Sequence, residues 1–469
     1  MQASLLVALF GGGVCLMGLT ISVELLNTLL LFVTLTFSGL WLCHHTKVNL
    51  GDPKLKILNT FWLLKVVITL FLLYIGWIPQ LDPSSVSWGY DPQRFYIDAW
   101  DLVNNGWNPL AGSNYQGVIF YYGAIFYLLG HNPVIPALIN AFVTLLCTLF
   151  LIRFIYSALP NRTAKDWTIS GLLLVPEVLW YDVMTARETL MASLIIFAVL
   201  GVGRYLVGTK NVGLTKTIIL SGTAFFAILF VRTSMAIPVV ASVLVIMLFL
   251  RSKHNIGSLK KVFLIVLTIA GMLAGPYLQN LAGGSKVDYL LALNRVQSFS
   301  GDVAPLSWSK NSIGSLLIPK NSLQDLFYLP PRMVLYLAAP LPNIAVSLNG
   351  LINSSWVAWQ HFMTLSTSLL MMLGFPFVLA GVQQAWRFRK RQPAPMILYI
   401  TFWIIFMAVA GGNFIIHQRY RIMFSLLFFC CVWYGYTRSK KSQVIDWLFF
   451  WFVMLFILFS IFSIYKFLY

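Results

Sequence analysis

The chain alternates long apolar runs with short polar intervals. Apolar runs close to the roughly 20 residues that carry a helix across a bilayer core recur at 2–20, 23–43, 57–78, 134–156, 168–181, 188–206, 217–231, 234–250, 262–281, 357–384, 394–411, 422–437 and 446–468. The pattern predicts about thirteen spanning helices, the shorter runs being completed by their flanks. Two more apolar stretches, 117–130 and 333–350, stand apart. The first is short and rich in tyrosine, and the second is interrupted by Pro340 and Pro342. The opening stretch lacks a basic lead and reads as a first span and not a cleaved signal.

Composition agrees with a chain whose solvent is largely lipid. Hydrophobic residues make up 59%, charged residues 10%, and the mean hydropathy is +0.81. A soluble surface needs about 25% charged residues, so a string of soluble domains is excluded, as are disorder and coiled coil. The expected fold is an all-α polytopic transmembrane bundle forming one integral membrane domain over 1–469. The five cysteines lie in or beside apolar runs without metal-ligand spacing, and read as small packing residues.

The formal charge of +18 could signal nucleic acid in a soluble protein. In a polytopic chain it follows from retention of Lys and Arg in cytoplasmic loops, and no nucleic-acid partner is expected. Placing the N-terminus in the cytoplasm and alternating the spans puts about 20 of the 32 basic residues in inside loops. These include Lys47, Lys54, Lys56, Arg153, Arg204, Lys216, Arg387, Arg389, Lys390, Arg391, Arg438 and Lys440. Asp82, Asp91, Asp98, Asp101, Asp182, Glu188, Asp288, Asp302 and Asp325 fall outside. Counting 117–130 as a full span would reverse every later cluster. It and 333–350 are therefore re-entrant or interfacial pieces within two long outer segments, 79–133 and 282–356. Long loops with structure of their own usually carry function.

The first outer segment contains WGYDPQRFYIDAWDLVNNGWNP. Asp91 before Pro92 suits a helix start. Asp91, Arg94, Asp98, Asp101 and Asn105 then recur at intervals of three and four, which places them on one helical stripe. Phe95, Tyr96, Ala99, Trp100, Leu102 and Val103 take the other faces, predicting an amphipathic helix lying in the outer interface, apolar side down. The stretch that follows carries Tyr115, Tyr121, Tyr122 and Tyr127. Such a cluster is either an aromatic belt or a wall that offers flat apolar faces and hydroxyl tips to a sugar or prenyl chain.

An acidic residue opening an interfacial helix in an early outer loop, then a tyrosine-rich half-span and a span heading inward, resembles the GT-C superfamily. These are polytopic glycosyltransferases that use polyprenyl-phosphate-linked sugars. The likeness is nearest to the family-39-like branch, relatives of protein O-mannosyltransferases and aminoarabinose transferases. It implies that Asp91 is the catalytic or acceptor-contacting carboxylate, with Arg94, Tyr96, Asp98, Tyr115, Tyr121 and Tyr122 near the substrate. Two departures stand out. Tyr90 and Pro92 flank Asp91 where the family often pairs a second acid, and Tyr121-Tyr122-Gly123 replaces a proline-rich segment.

Two further constellations enter the same reading. YDVMTARETL supplies Asp182, Arg187 and Glu188. The family tends to carry a second acid in this outer loop, which implies either Asp182 or Glu188. GGNFIIHQRYRIMF places His417, Arg419, Tyr420 and Arg421 outside, against the trend of the other basic clusters. Guanidinium forks there suit either lipid head groups or the phosphate of a donor. The motif is similar to one before a late span in family-39-like proteins, near the lipid phosphate. Arg232 is a further phosphate candidate. Arg332, in the proline-rich LPPRMVLYLAAPLP, is another; that stretch resembles a segment of exopolysaccharide polymerase-like membrane proteins, and its prolines predict a broken helix.

The resemblance implies transfer of a sugar from a polyprenyl-phosphate donor to a glycan, lipid or protein acceptor, at the outer face of the inner (plasma) membrane. Asp91 would act as base, and Arg419, Arg421, Arg232 and Arg332 would hold the phosphate. No cofactor is implied, and a divalent metal is compatible with the reading. A polymerase of lipid-linked repeat units and a lipid-linked-sugar flippase or transporter are the alternatives, the latter predicting ionisable residues buried mid-span. Glu177, beside Pro176, is the clear mid-span acid.

Overall fold

The computed structural model describes residues 23–81, 91–108, 116–156, 166–208, 213–249, 322–338, 356–412 and 418–468. The expected spans at 2–20 and 262–281 and most of the segment 282–356 lie outside them. Helix is the sole regular structure among the described residues. Its elements are α1 (Val23–Leu50), α2 (Ile57–Leu72), α3 (Asp91–Asn104), α4 (Gln116–Leu129), α5 (Val134–Tyr156), α6 (Pro176–Asp182), α7 (Arg187–Val207), α8 (Leu214–Arg232), α9 (Ala236–Phe249), α10 (Ser322–Ala338), α11 (Trp356–Phe388), α12 (Pro393–Gly412), α13 (Ile422–Arg438) and α14 (Lys441–Leu468). Seven segments are long and apolar enough to cross a membrane. One of these, 214–248, is folded at Arg232–Met235, so that α8 and α9 lie beside each other against α7. The chain is a multi-pass membrane bundle.

Contacts at the helix ends fix the directions. Asn27, near the start of α1, donates to the Leu129 carbonyl just before α5 at 3.2 Å. Near the ends of the same two helices, Arg153 Nη2 donates to Thr46 Oγ1 at 2.7 Å. Helices α1 and α5 are therefore parallel, and α13 joins them, with Trp433 stacked on Tyr156. One end of the bundle gathers Thr46, Asp52, Arg153, Tyr156, Gln384 and Gln443. The opposite end carries α3, α4 and the start of α13.

Helix α3 has the predicted stripe. Phe95, Tyr96, Ala99 and Leu102 are buried and Arg94 is exposed. The apolar side does not face lipid as expected. It packs on Val118, Ile119, Tyr122, Ile125 and Phe126 of α4 in a core of its own. The 14-residue α4 would reach only about 21 Å at 1.5 Å per residue, short of a bilayer core of about 30 Å.

Two expectations are corrected. Run 168–181 is not one helix. It is a 3-10 segment, Asp166–Leu174, then a break at Val175 (ψ 117°), then α6. Pro176 causes the break, because a residue before proline is pushed out of the helical region. The 3-10 coil rises about 2.0 Å per residue against about 1.5 Å in an α-helix, so the nine residues before the break extend about 18 Å. Conversely, Pro330 and Pro331 do not break α10, which continues through both while forgoing two backbone bonds.

Close helix contacts rest on small residues, as lipid-embedded interfaces favour. Gly435 of α13 lies directly on the backbone of Phe377 in α11, where any side chain would collide.

Candidate functional site

The site is assembled at the end of the bundle that carries α3. A 3-10 turn, Gln418–Arg421, leads into α13. With about three residues per turn, side chains two apart diverge by roughly 120°, so Arg419 and Arg421 point to different places.

Arg421 turns inward. Neither it nor Glu177 has any exposed side-chain surface. Its Nε and Nη2 reach the Glu177 carboxylate at 2.8 and 3.1 Å, and its remaining donors take Ser368 Oγ at 2.6 Å and the carbonyls of Thr364 and Tyr336 at 2.9 and 3.4 Å. The break before Pro176 frees the Glu177 amide, which donates to Thr367 Oγ1 at 3.0 Å. Arg421 is thus built into the bundle rather than presented to a ligand.

Arg419 turns to the lip. Its Nη1 is paired with Asp91 Oδ2, in a contact that leaves 18% and 22% of the two side chains exposed. Its Nη2 donates to the Tyr420 hydroxyl at 3.1 Å, and its Nε lies 4.0 Å from Glu188 Oε1. Arg187 Nε approaches the same Glu188 oxygen at 3.3 Å. Glu188 sits in the first turn of α7, where the helix dipole favours an acid. The guanidinium carbon of Arg232 stands 4.8 Å from the Tyr420 ring centroid, and that of Arg419 stands 5.0 Å from it. Burial works against the charge of Arg419, but Glu188, Tyr420 and Asp91 outweigh it and raise its pKa. Among the described residues, one lip therefore gathers the guanidinium groups of Arg187, Arg232 and Arg419 and the carboxylates of Asp91 and Glu188.

The lip is held by buried polar contacts. Asp182 is sealed with Lys65 at 2.5 Å and accepts from Thr144 at 2.9 Å. Asn140 donates to the carbonyls of Asp182 and Met184 at 3.3 and 2.9 Å. Tyr122 is fully buried and donates to the Ala186 carbonyl at 3.0 Å. Thr185 donates to the Pro92 carbonyl at 2.5 Å. These bonds fix the turn between α6 and α7 and tie it to the first turn of α3, next to Asp91.

The structure separates the two open acids. Glu188 belongs with Asp91 and Arg419, whereas Asp182 is sealed beneath them. Tyr96 is nearly buried, donating to the His131 carbonyl at 2.8 Å. Arg94 is exposed and pairs with Asp98 at 3.3 Å. Burial pushes the Asp98 carboxyl up; Arg94 opposes this and Asp101 adds to it. Tyr121 is half-buried, edge-on to Tyr122. Arg332 is fully buried and donates to the carbonyls of Tyr328 and Ala410 at 3.3 and 3.2 Å. Tyr115 and His417 lie outside the described residues. Among the described residues no three His, Cys, Asp or Glu side chains group as metal ligands.

Sequence reading missed Lys65, Asn140 and Thr185. Lys65 carried a signal, a lone cation in the apolar run ILNTFWLLKVVITL, since a charge at that depth needs a partner. Asn140 in VIPALINAFVTL carried a weaker one, and Thr185 carried none.

No protein-family model, curated protein or solved structure matches the chain.

Proposed function

We propose that the protein is a membrane glycosyltransferase of GT-C type, moving a sugar from a polyprenyl-phosphate donor to an acceptor on the outer side of the plasma membrane. The observation that carries the reading is the meeting of Asp91 with Arg419, which are 328 positions apart, on a lip that also holds Glu188, Arg187 and Arg232. A carboxylate beside a guanidinium cluster supplies the two groups that displacement at an anomeric carbon needs. The acceptor oxygen bonds to that carbon while the carbon–phosphate oxygen bond breaks. The acceptor proton passes to Asp91, and the departing electron pair goes to the phosphate, whose growing charge Arg419 and Arg232 stabilise. Glu188 orients Arg419, and the Tyr420 ring offers an apolar face to the sugar or prenyl chain. Arg421 and Arg332, both sealed, are given no role toward the donor.

The test is transfer from a radiolabelled polyprenyl-phosphate sugar by purified protein. Asp91→Asn should lower turnover by about 10²–10⁴-fold and Arg419→Ala by about 10²–10³-fold. Wild-type turnover in both variants would overturn the assignment.

A transporter reading draws on the sealed pairs Lys65–Asp182 and Glu177–Arg421, since intramembrane charges often mark a translocation path. It predicts that cysteines placed at Thr364 and Ser368, in a cysteine-free background, react with thiol reagents from each face in turn. The transferase reading predicts protection from both.

A further inference from the structure

The end of the bundle opposite the lip holds two arginines that no described carboxylate pairs with. Arg153 and Arg204 stand in the last turns of α5 and α7, three residues before each helix ends. At about 1.5 Å per residue that is roughly 4.5 Å of axial rise. Phe150 and Arg153 are three positions apart on α5, so their side chains share one helical face. The Arg204 guanidinium carbon lies 5.1 Å from the Phe150 ring centroid. Arg204 therefore leans from α7 onto the face of α5 that carries Arg153, where the two cations repel each other.

Neither cation is neutralised by the described residues. Arg153 Nε and Nη2 both donate to Thr46 Oγ1, at 3.1 and 2.7 Å, which leaves Nη1 without a partner. Arg204 donates no side-chain hydrogen bond among the described residues, its contact being the Phe150 ring. Asp52, at the same end, is buried and accepts from the Tyr156 hydroxyl; it pairs with neither arginine. Both arginines keep part of their surface open, and neither Arg153 Nη1 nor any Arg204 nitrogen is an enclosed polar atom. The C-terminal end of each helix favours a cation, which accounts for one arginine per helix but not for the approach of the two.

We propose that Arg153 and Arg204 form a seat for the phosphate of an anionic phospholipid, in the leaflet that meets this end of the bundle. A phosphodiester oxygen accepts from guanidinium N–H groups, and Arg153 Nη1 and the Arg204 fork are the donors open to it. The Thr46 bond holds Arg153 and the Phe150 ring holds Arg204, so both are positioned before the lipid arrives. The depth fits a lipid. Arginines in the last turn of a spanning helix reach the headgroup layer, and basic pockets between helices at that level bind anionic headgroups. A zwitterionic lipid brings its own cation and leaves the two arginines uncompensated. The seat is separate from the lip and does not depend on the transferase reading.

The experiment is native mass spectrometry of the full-length protein in detergent, with equal amounts of phosphatidylglycerol and phosphatidylcholine. Size exclusion beforehand selects the folded fraction of each variant. Wild type should retain phosphatidylglycerol in preference to phosphatidylcholine. Each basic residue near the membrane surface contributes about five-fold in affinity for an anionic lipid. Arg153→Gln and Arg204→Gln should therefore each lower the preference about five-fold, and the double variant about 25-fold. Arg204→Lys keeps the charge and should retain most of the preference, which separates lost charge from lost packing. Arg387→Gln, at an exposed cation of the same end, should leave it unchanged. Wild-type preference in the double variant, no retention in Arg204→Lys, or an equal loss in Arg387→Gln would overturn the seat. Displacement of phosphatidylglycerol by inorganic phosphate would also overturn it, by assigning the arginines to a water-borne anion.

Discussion

The sealed Glu177–Arg421 pair offers the sharpest test of how this bundle is held. Glu177→Ala would leave the Arg421 guanidinium without its carboxylate, beside uncharged acceptors that include Ser368 Oγ and the carbonyls of Thr364 and Tyr336, with no side-chain surface exposed. Breaking a buried pair by removing one partner destabilises by about 3–5 kcal/mol. The surviving neutral acceptors put the value near the lower bound, about 3 kcal/mol, or over 100-fold in the folding equilibrium. Glu177→Gln keeps the shape and one acceptor, so its effect should be about half as large. Replacing both members with methionine removes the stranded charge altogether and should recover most of the loss. Heating each variant in detergent and measuring the monodisperse fraction by size exclusion ranks the set. The reasoning predicts wild type, then the double variant, then Glu177→Gln, then Glu177→Ala in descending stability. An alanine variant as stable as wild type, or a double variant less stable than the single one, would refute it.

Gly435→Ala would place a methyl on the Phe377 backbone, forcing α11 and α13 apart. It should destabilise by about 1–3 kcal/mol, read by the same heating assay, and an unchanged midpoint would mean that the two helices are not in the contact described. His131 stacks on Trp100 at 4.2 Å, and burial lowers its pKa, with Glu24 and Asp101 opposing. A folded-state value below the ordinary one of about 6.5 leaves this part of stability intact above that pH. It is lost as pH falls through the ordinary value to the lowered one, and is constant below. Wild type should therefore lose more stability between about pH 7 and pH 5 than His131→Phe, which keeps the stack; identical losses would contradict this.

The legible part of the molecule was the part written in local periodicity. The stripe from Asp91 to Asn105 gave α3 because three- and four-residue intervals have one helical meaning. The excess of basic residues in alternate loops excluded 117–130 as a span, and α4 is indeed short. What was not legible depended on distant partners. Asp182 and Glu188 sit in one short motif, and nothing in that motif says that Lys65 waits beneath one of them and Arg419 above the other. Arg419 and Arg421 read as a matched pair because their motif has no periodicity; the 3-10 turn that divides them is a property of how α13 is entered. The break before Pro176 was available from the sequence, yet apolarity alone made 168–181 look continuous.

The ion pairs Glu177–Arg421, Lys65–Asp182 and Asp91–Arg419 are related through the chain that joins them. Arg419 is two residues from Arg421, which Glu177 seals into the bundle. Glu188 is six residues from Asp182, which Lys65 seals, and the intervening turn is fixed by Asn140 and Tyr122 and bonded through Thr185 to the carbonyl next to Asp91. Arg419 and Glu188 are therefore each a short, constrained distance from a buried anchor on their own segment. Sealed pairs are poor sources of net stability, since desolvation consumes most of their attraction, but they penalise any displacement of the segment that carries them. Preorganising charged groups requires such support, because the lip itself contributes little rigidity.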